Sequence, residues 1–149
     1  MQFLSRVPMG KTIIASDKLW AQSVYCYPLV GAVLGVVLVT LSYMFSDIST
    51  GLAAIIVLIF WVAFTGALHI DGLADCSDGW VGGQGSREKT IAIMKDPAAG
   101  PIAVVVIVLV LLLKFAALTV LLGSDNVFVL LIIPLMARAT LLAAFIYAP

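Results

Sequence analysis

Residues 51–70, GLAAIIVLIFWVAFTGALHI, run directly into residues 71–100, DGLADCSDGWVGGQGSREKTIAIMKDPAAG, and the architecture turns on that junction. The first stretch has no Lys, Arg, Asp or Glu and is long enough to cross roughly 30 Å of hydrocarbon as a helix. The second holds half of the chain's eight basic and eight acidic side chains: Asp71, Asp75, Asp78, Arg87, Glu88, Lys89, Lys95 and Asp96. An apolar run that delivers a charged segment at its end reads as a membrane span emptying into an aqueous site. Were residues 71–78 helical, Asp71, Asp75 and Asp78 at i, i+4 and i+7 would share a face about 60° wide. Three carboxylates on one face repel one another unless a cation sits among them. Hard divalent ions such as Mg²⁺ take carboxylate oxygens together with waters and phosphates.

The rest of the composition agrees with a membrane setting. The chain of 149 residues is 63% hydrophobic and 11% charged, with a mean hydropathy of +1.19. Soluble domains carry more charge and less apolar content than this. The predicted fold is all-α, a polytopic transmembrane bundle of about four spans in a single domain over 1–149, with short interfacial helices. The spans are placed at roughly 28–45, 51–70, 101–122 and 127–147. Gly31 and Gly35 in the first form a GxxxG, a pattern for close helix contact. MQFLSRVPMGKTI at the start suits an interface, and a short helix from Asp17, capped by Asp17 or Ser16, is expected to run to Pro28. The first eighteen residues have no continuous apolar core of the kind a cleavable signal carries. Zero net charge gives no basic excess for a nucleic-acid partner. Cys26 and Cys76 have no redox or metal spacing and read as free thiols.

Charge asymmetry orients the bundle. Three Lys/Arg precede the first span and three lie in residues 71–100, while the other connections carry only Asp47 and Asp125, read as solvated loop acids. The positive-inside rule puts both termini and the acidic segment, residues 69–100, on the cytoplasmic side of the cytoplasmic (inner) membrane.

Within the segment, Gly79 is expected to end the first helix. WVGGQGS forms a loop whose backbone N–H groups can approach a phosphate. SREKTIAIMKD then forms a short helix with Ser86 as N-cap, and Lys89 three positions on means no capping box. Arg87, Lys89 and Lys95 either hold phosphate oxygens or form a solvated face. Asp96, just before Pro97, is positioned to reach the same cation. Lys114 and Arg138 lie inside spans, where a charge costs at least roughly 2.5–3.5 kcal/mol, and are read as lining a polar cavity for an anionic substrate or as snorkelling or internally paired cations. His69 and Cys76 offer softer ligands for zinc, but an all-oxygen site accounts for more of the charges.

HIDGLADCSDGW (69–80) followed by SREKTIAIMKDPAAG (86–100) resembles the signature of the cobalamin synthase family, the adenosylcobinamide-GDP ribazoletransferases of cobalamin biosynthesis. FLSRVP (3–8), YPLVGAVLG (27–35) and MARATLLAAF (136–145) extend the resemblance from end to end. It implies a polytopic membrane enzyme that, with Mg²⁺, joins adenosylcobinamide-GDP to α-ribazole or its 5′-phosphate and releases GMP. By motif match it implies Asp71, Asp75 and Asp78 as metal ligands and catalytic residues, while Arg87, Lys95, Asp96 and Gly100 align with the downstream motif. Typical members continue through a second hydrophobic half, so the chain resembles the N-terminal part of the family, completed by that half or by a homo-oligomeric partner.

The chemistry suits the residues on its own terms. Displacement at phosphorus needs positioning and charge neutralisation, which a cation on carboxylates and nearby Arg/Lys side chains supply. A carboxylate takes the alcohol proton, with Asp78 the first choice. The neighbouring enzyme reading is a CDP-alcohol phosphotransferase, whose DxxDG matches Asp75 to Gly79; that family continues with Ala-Arg, where this chain has Gly82 and Gly83. An isoprenyl-diphosphate transferase has a differently spaced acidic motif. An ion-coupled transporter or assembly subunit would carry its acids within spans, and here most lie outside them.

Overall fold

The computed structural model describes residues 27–96, 98–124 and 126–147. The entry segment, the helix expected from Asp17, Cys26, Pro97 and Asp125 lie outside the described residues. Among those described there are six helices and no strands: α1 Tyr27–Met44, α2 Thr50–Phe64, α3 Leu68–Gly82, α4 Arg87–Met94, α5 Pro101–Leu122 and α6 Val129–Tyr147. The all-α expectation is met. Two compact units divide at Gly66 and Ala67 and again within α5, at Ala117 and Leu118.

In the first unit α1 packs chiefly on α6 and also on α2. Its buried side, Gly31, Leu34, Gly35, Leu38, Leu41 and Ser42, recurs at three- and four-residue steps and so forms one stripe. The GxxxG is used as close contact. A Cβ on Gly31 would stand 2.5 Å from the Pro134 carbonyl oxygen and 3.0 Å from Arg138 Cγ, and one on Gly35 would stand 2.8 Å from Leu131 Cα. Leu130, Pro134 and Arg138, four residues apart, are the buried stripe of α6. Ala53, Ala54 and Val57 are the corresponding stripe of α2.

The expected span at 51–70 is divided. α2 has 15 residues, about 22 Å of helix, short of the hydrocarbon thickness. It stops because Gly66 and Ala67 both take the left-handed conformation, with φ of 65° and 59°. The Thr65 hydroxyl lies 3.1 Å from the carbonyls of Trp61 and Val62, satisfying the end of the helix from within. By length and composition α1 and α5 are each able to cross a membrane, and the broken pair α2 with α3 makes a third crossing if taken as one span. Val129–Ala143 is apolar but shorter. The ends of α5 fall where the sequence puts them, and the outward run Val104, Val105, Val108, Leu109, Leu112 and Leu113 is exposed, as a lipid-facing surface is.

In the second unit α3 lies against α4 through glycines. A Cβ on Gly79 would meet Met94 Cγ at 2.7 Å, one on Gly82 would meet Ile93 Cδ1 at 2.7 Å, and one on Gly83 would collide with Thr90 Oγ1. Gly79 therefore does not end the helix, contrary to the sequence expectation. It lies buried inside α3, giving room to Met94, and the helix runs on to Gly82.

Candidate active site

The three carboxylates stand on one helix. α3 starts from the left-handed Ala67, and Asp71 falls in its first turn, where the partial positive charge of the helix end favours an acid. Asp71 is exposed, and Asp75 and Asp78 are half-buried. Behind them Ala74 and Ser77 are buried, with the Ser77 hydroxyl donating to the Ala74 carbonyl at 2.8 Å. With α3 continuous through all three positions, the helical period puts them on one face as expected. Asp71 and Asp75 are neighbours at i and i+4, with Cβ atoms about 5–6 Å apart.

Asp78 is already engaged. Its Oδ2 accepts the N–H of Gly100 at 2.5 Å and its Oδ1 the N–H of Ala103 at 2.9 Å, 22 and 25 residues along the chain. Asp96 is exposed, and its Oδ1 accepts the Ala98 N–H at 2.9 Å, closing a local turn. Among the described residues, no group of three or more His, Cys, Asp or Glu side chains converges closely enough to hold an ion. The donor set nonetheless fits magnesium, which is commonly held by one or two carboxylates with waters and substrate phosphates completing its octahedron. Asp71 and Asp75 are the pair suited to that.

Arg87, Lys89 and Lys95 are exposed on or beside α4. Ser86 caps α4 as expected, its Oγ accepting the Lys89 N–H at 3.3 Å, while its hydroxyl donates to Glu88 Oε2 at 3.0 Å. The Glu88 backbone N–H, and after it the Ser86 hydroxyl, hold the Glu88 carboxyl below the usual glutamate range. The glycine loop differs from expectation: Trp80, Val81 and Gly82 are helical, and the turn is Gly83–Gly85 alone. The N–H groups of Gly83 and Ser86 donate to the carbonyls of Gly79 and Gly83, at 2.9 and 3.0 Å, so these two are turned inward and away from any phosphate. An open cavity of about 390 Å³ lies here, lined by Gly79, Trp80, Gly83, Gln84, Gly85 and Thr90. Nine residues beyond Asp71, Trp80 lies about 180° round α3 from it, on the side away from the acids.

Lys114 is half-buried in α5. Arg138 is only 3% exposed, in α6, with its stem against Gly31. Sequence reasoning missed what holds the acidic face: the backbone of Gly100 and Ala103. The signal was present in AAGPI, a glycine and a proline opening an apolar run, the pattern of a helix start.

Comparison with known proteins converges on one family. The family model described as cobalamin-5-phosphate synthase matches residues 1–149. An adenosylcobinamide-GDP ribazoletransferase of Pseudomonas aeruginosa (strain UCBPP-PA14) is 48% identical over 149 residues, covering 100% of this chain and 61% of that protein. Proteins of the same name are 46% identical in Pseudomonas putida (strain KT2440), with 100% of this chain and 62% of that protein covered, and 46% identical in Pseudomonas fluorescens (strain Pf-5), with 100% and 61% covered. The chain thus spans about three fifths of the length of the curated relatives it matches. No solved structure matches it.

Proposed function

The chain belongs to the cobalamin-5-phosphate synthase family, and on that premise we propose that it carries the cation-holding part of a membrane transferase acting on adenosylcobinamide-GDP. The observation that carries the reading is α3, a helix that presents Asp71, Asp75 and Asp78 on one face directly after an apolar helix. The acceptor is α-ribazole or its 5′-phosphate. A free ribose hydroxyl of the acceptor attacks the phosphorus attached to cobinamide, the bond from that phosphorus to the GMP oxygen breaks, and GMP leaves with the electron pair.

Asp71 and Asp75 would hold Mg²⁺, with Asp96 contributing from the following segment. The ion supplies charge neutralisation at the phosphoryl oxygens when bound. Arg87 and Lys95, exposed and long, bind diphosphate oxygens, and Lys114, half-buried in α5, receives the anionic substrate. The alcohol proton goes to whichever oxygen of Asp71 or Asp75 the cation leaves free, and not to Asp78, both of whose oxygens already accept backbone N–H groups. The chain makes four crossings of the cytoplasmic membrane, with α3 and α4 on the cytoplasmic side, a placement supported by the Lys/Arg distribution.

GMP release from adenosylcobinamide-GDP and α-ribazole with Mg²⁺ tests this in liposomes, on the chain and on a longer relative carrying the same residues. Asp71→Asn and Asp75→Asn are expected to lower turnover at least about a hundredfold with membrane insertion unchanged, since the amide keeps shape and removes charge. Near-normal turnover of both variants at limiting Mg²⁺ would rule out the cation role. For the topology, a Gln84→Cys variant lacking Cys26 and Cys76 should react with an impermeant thiol reagent only from the cytoplasmic side; labelling from the periplasmic side alone refutes the orientation.

A further inference from the structure

We infer that Asp78 is the positioning residue of the acidic face, a clamp that fixes the amino end of α5 against α3, and that it is not a ligand of the cation. The inference rests on the cation reading above only in what the clamp serves; the clamp itself stands on geometry. α5 begins with Gly100 at the cap position, Pro101 first and Ala103 third. In a capping box the N–H of the cap residue and that of the third residue are satisfied reciprocally by two local side chains. Glycine at the cap has no side chain to offer, and Ala103 has none that can accept. Asp78, from α3, takes both N–H groups, one on each carboxylate oxygen.

Gly100 is shaped to this purpose. A Cβ there would lie 2.7–2.8 Å from Asp78 Oδ1, Cγ and Oδ2. The residue has no left-handed backbone to justify glycine, so the glycine serves space alone. Pro101 follows, removing a donor that would otherwise compete at the first helical position. The clamp also answers the electrostatic problem of the acidic face. The positive end of a 22-residue helix offsets the charge of Asp78, so α3 itself offers a cation two carboxylates, Asp71 and Asp75, at helical neighbour spacing.

The test reads Mn²⁺ binding by electron paramagnetic resonance and hydrogen exchange at the Gly100 and Ala103 amides, in the intact chain in lipid nanodiscs. Asp78→Asn and Gly100→Ala should each speed exchange at those two amides at least about tenfold while changing Mn²⁺ affinity less than about threefold. Asp75→Asn should do the reverse. The double variant Asp78→Asn with Gly100→Ala should be no worse than either single one, since both break one contact. In the longer relative, the clamp variants should raise KM for adenosylcobinamide-GDP more than they lower kcat, and Asp78→Glu should not rescue them, since the longer side chain cannot sit where Gly100 leaves room. Mn²⁺ affinity lost in Asp78→Asn as fully as in Asp75→Asn, with exchange at Gly100 and Ala103 unchanged, overturns the inference. A wild-type chain that binds no Mn²⁺ would defeat the cation reading, and the clamp would still be decided by exchange and the double variant.

Discussion

Ala67 holds a conformation that alanine seldom adopts. A left-handed residue with a Cβ costs roughly 1–2 kcal/mol, and here it closes the break between α2 and α3 directly after a left-handed Gly66. Ala67→Gly is therefore expected to stabilise the protein by about 1 kcal/mol, less the entropy glycine adds to the unfolded chain. Equilibrium unfolding in mixed detergent checks it, and a destabilised variant would mean that the Ala67 methyl makes contacts worth more than the strain. Neither this residue nor Gly79 was legible in the sequence. Glycine after an acidic turn is as good a helix stop as a packing site, and only the presence of Met94 in the space beside Gly79 distinguishes the two. Asp71, Asp75 and Asp78 were legible because the helical period alone fixes their common face.

Among the helices, α4 depends most on its cap. It has eight residues and none is fully buried, with Thr90, Ile93 and Met94 its contacts on the glycines of α3 and the turn after it, so packing on one side alone offsets the cost of nucleation. Ser86→Ala should cost about 1 kcal/mol and free the Lys89 amide to exchange. The first turn should also respond to acid. Glu88 has a folded pKa held below its unfolded value, so its contribution is fully present above the ordinary glutamate range and is lost as pH falls through the lowered value. Protection of the Lys89 amide should fall on acidification below that range, and Glu88→Gln should remove the dependence. α5 was readable to the residue because Gly100 and Pro101 open it and Gly123 closes it. α2 was not, since hydropathy continues unbroken across Gly66 to Ile70 and gives no sign of the turn.

For the chain taken entire, membrane residence and helical class follow from composition, while helix pairing does not: the GxxxG of α1 announced a close neighbour without saying which. The neighbour is α6, and the fit leaves no room. Gly31→Leu or Gly35→Leu would drive a side chain into the α6 backbone, and either should abolish α1–α6 crosslinking between introduced cysteines while leaving both helices inserted; persistence of the crosslink would show that α6 can withdraw. That pairing also has a timetable. Residues 45–128 separate the two helices, and a ribosome adding roughly 5–20 residues per second needs on the order of 4–17 s to make those 84 residues. Throughout that interval the small-residue groove of α1 faces lipid or any other nascent helix that fits it. Translation speed across α2 to α5 thus sets how long the first helix waits, and slow codons there would lengthen its exposure to the wrong companion.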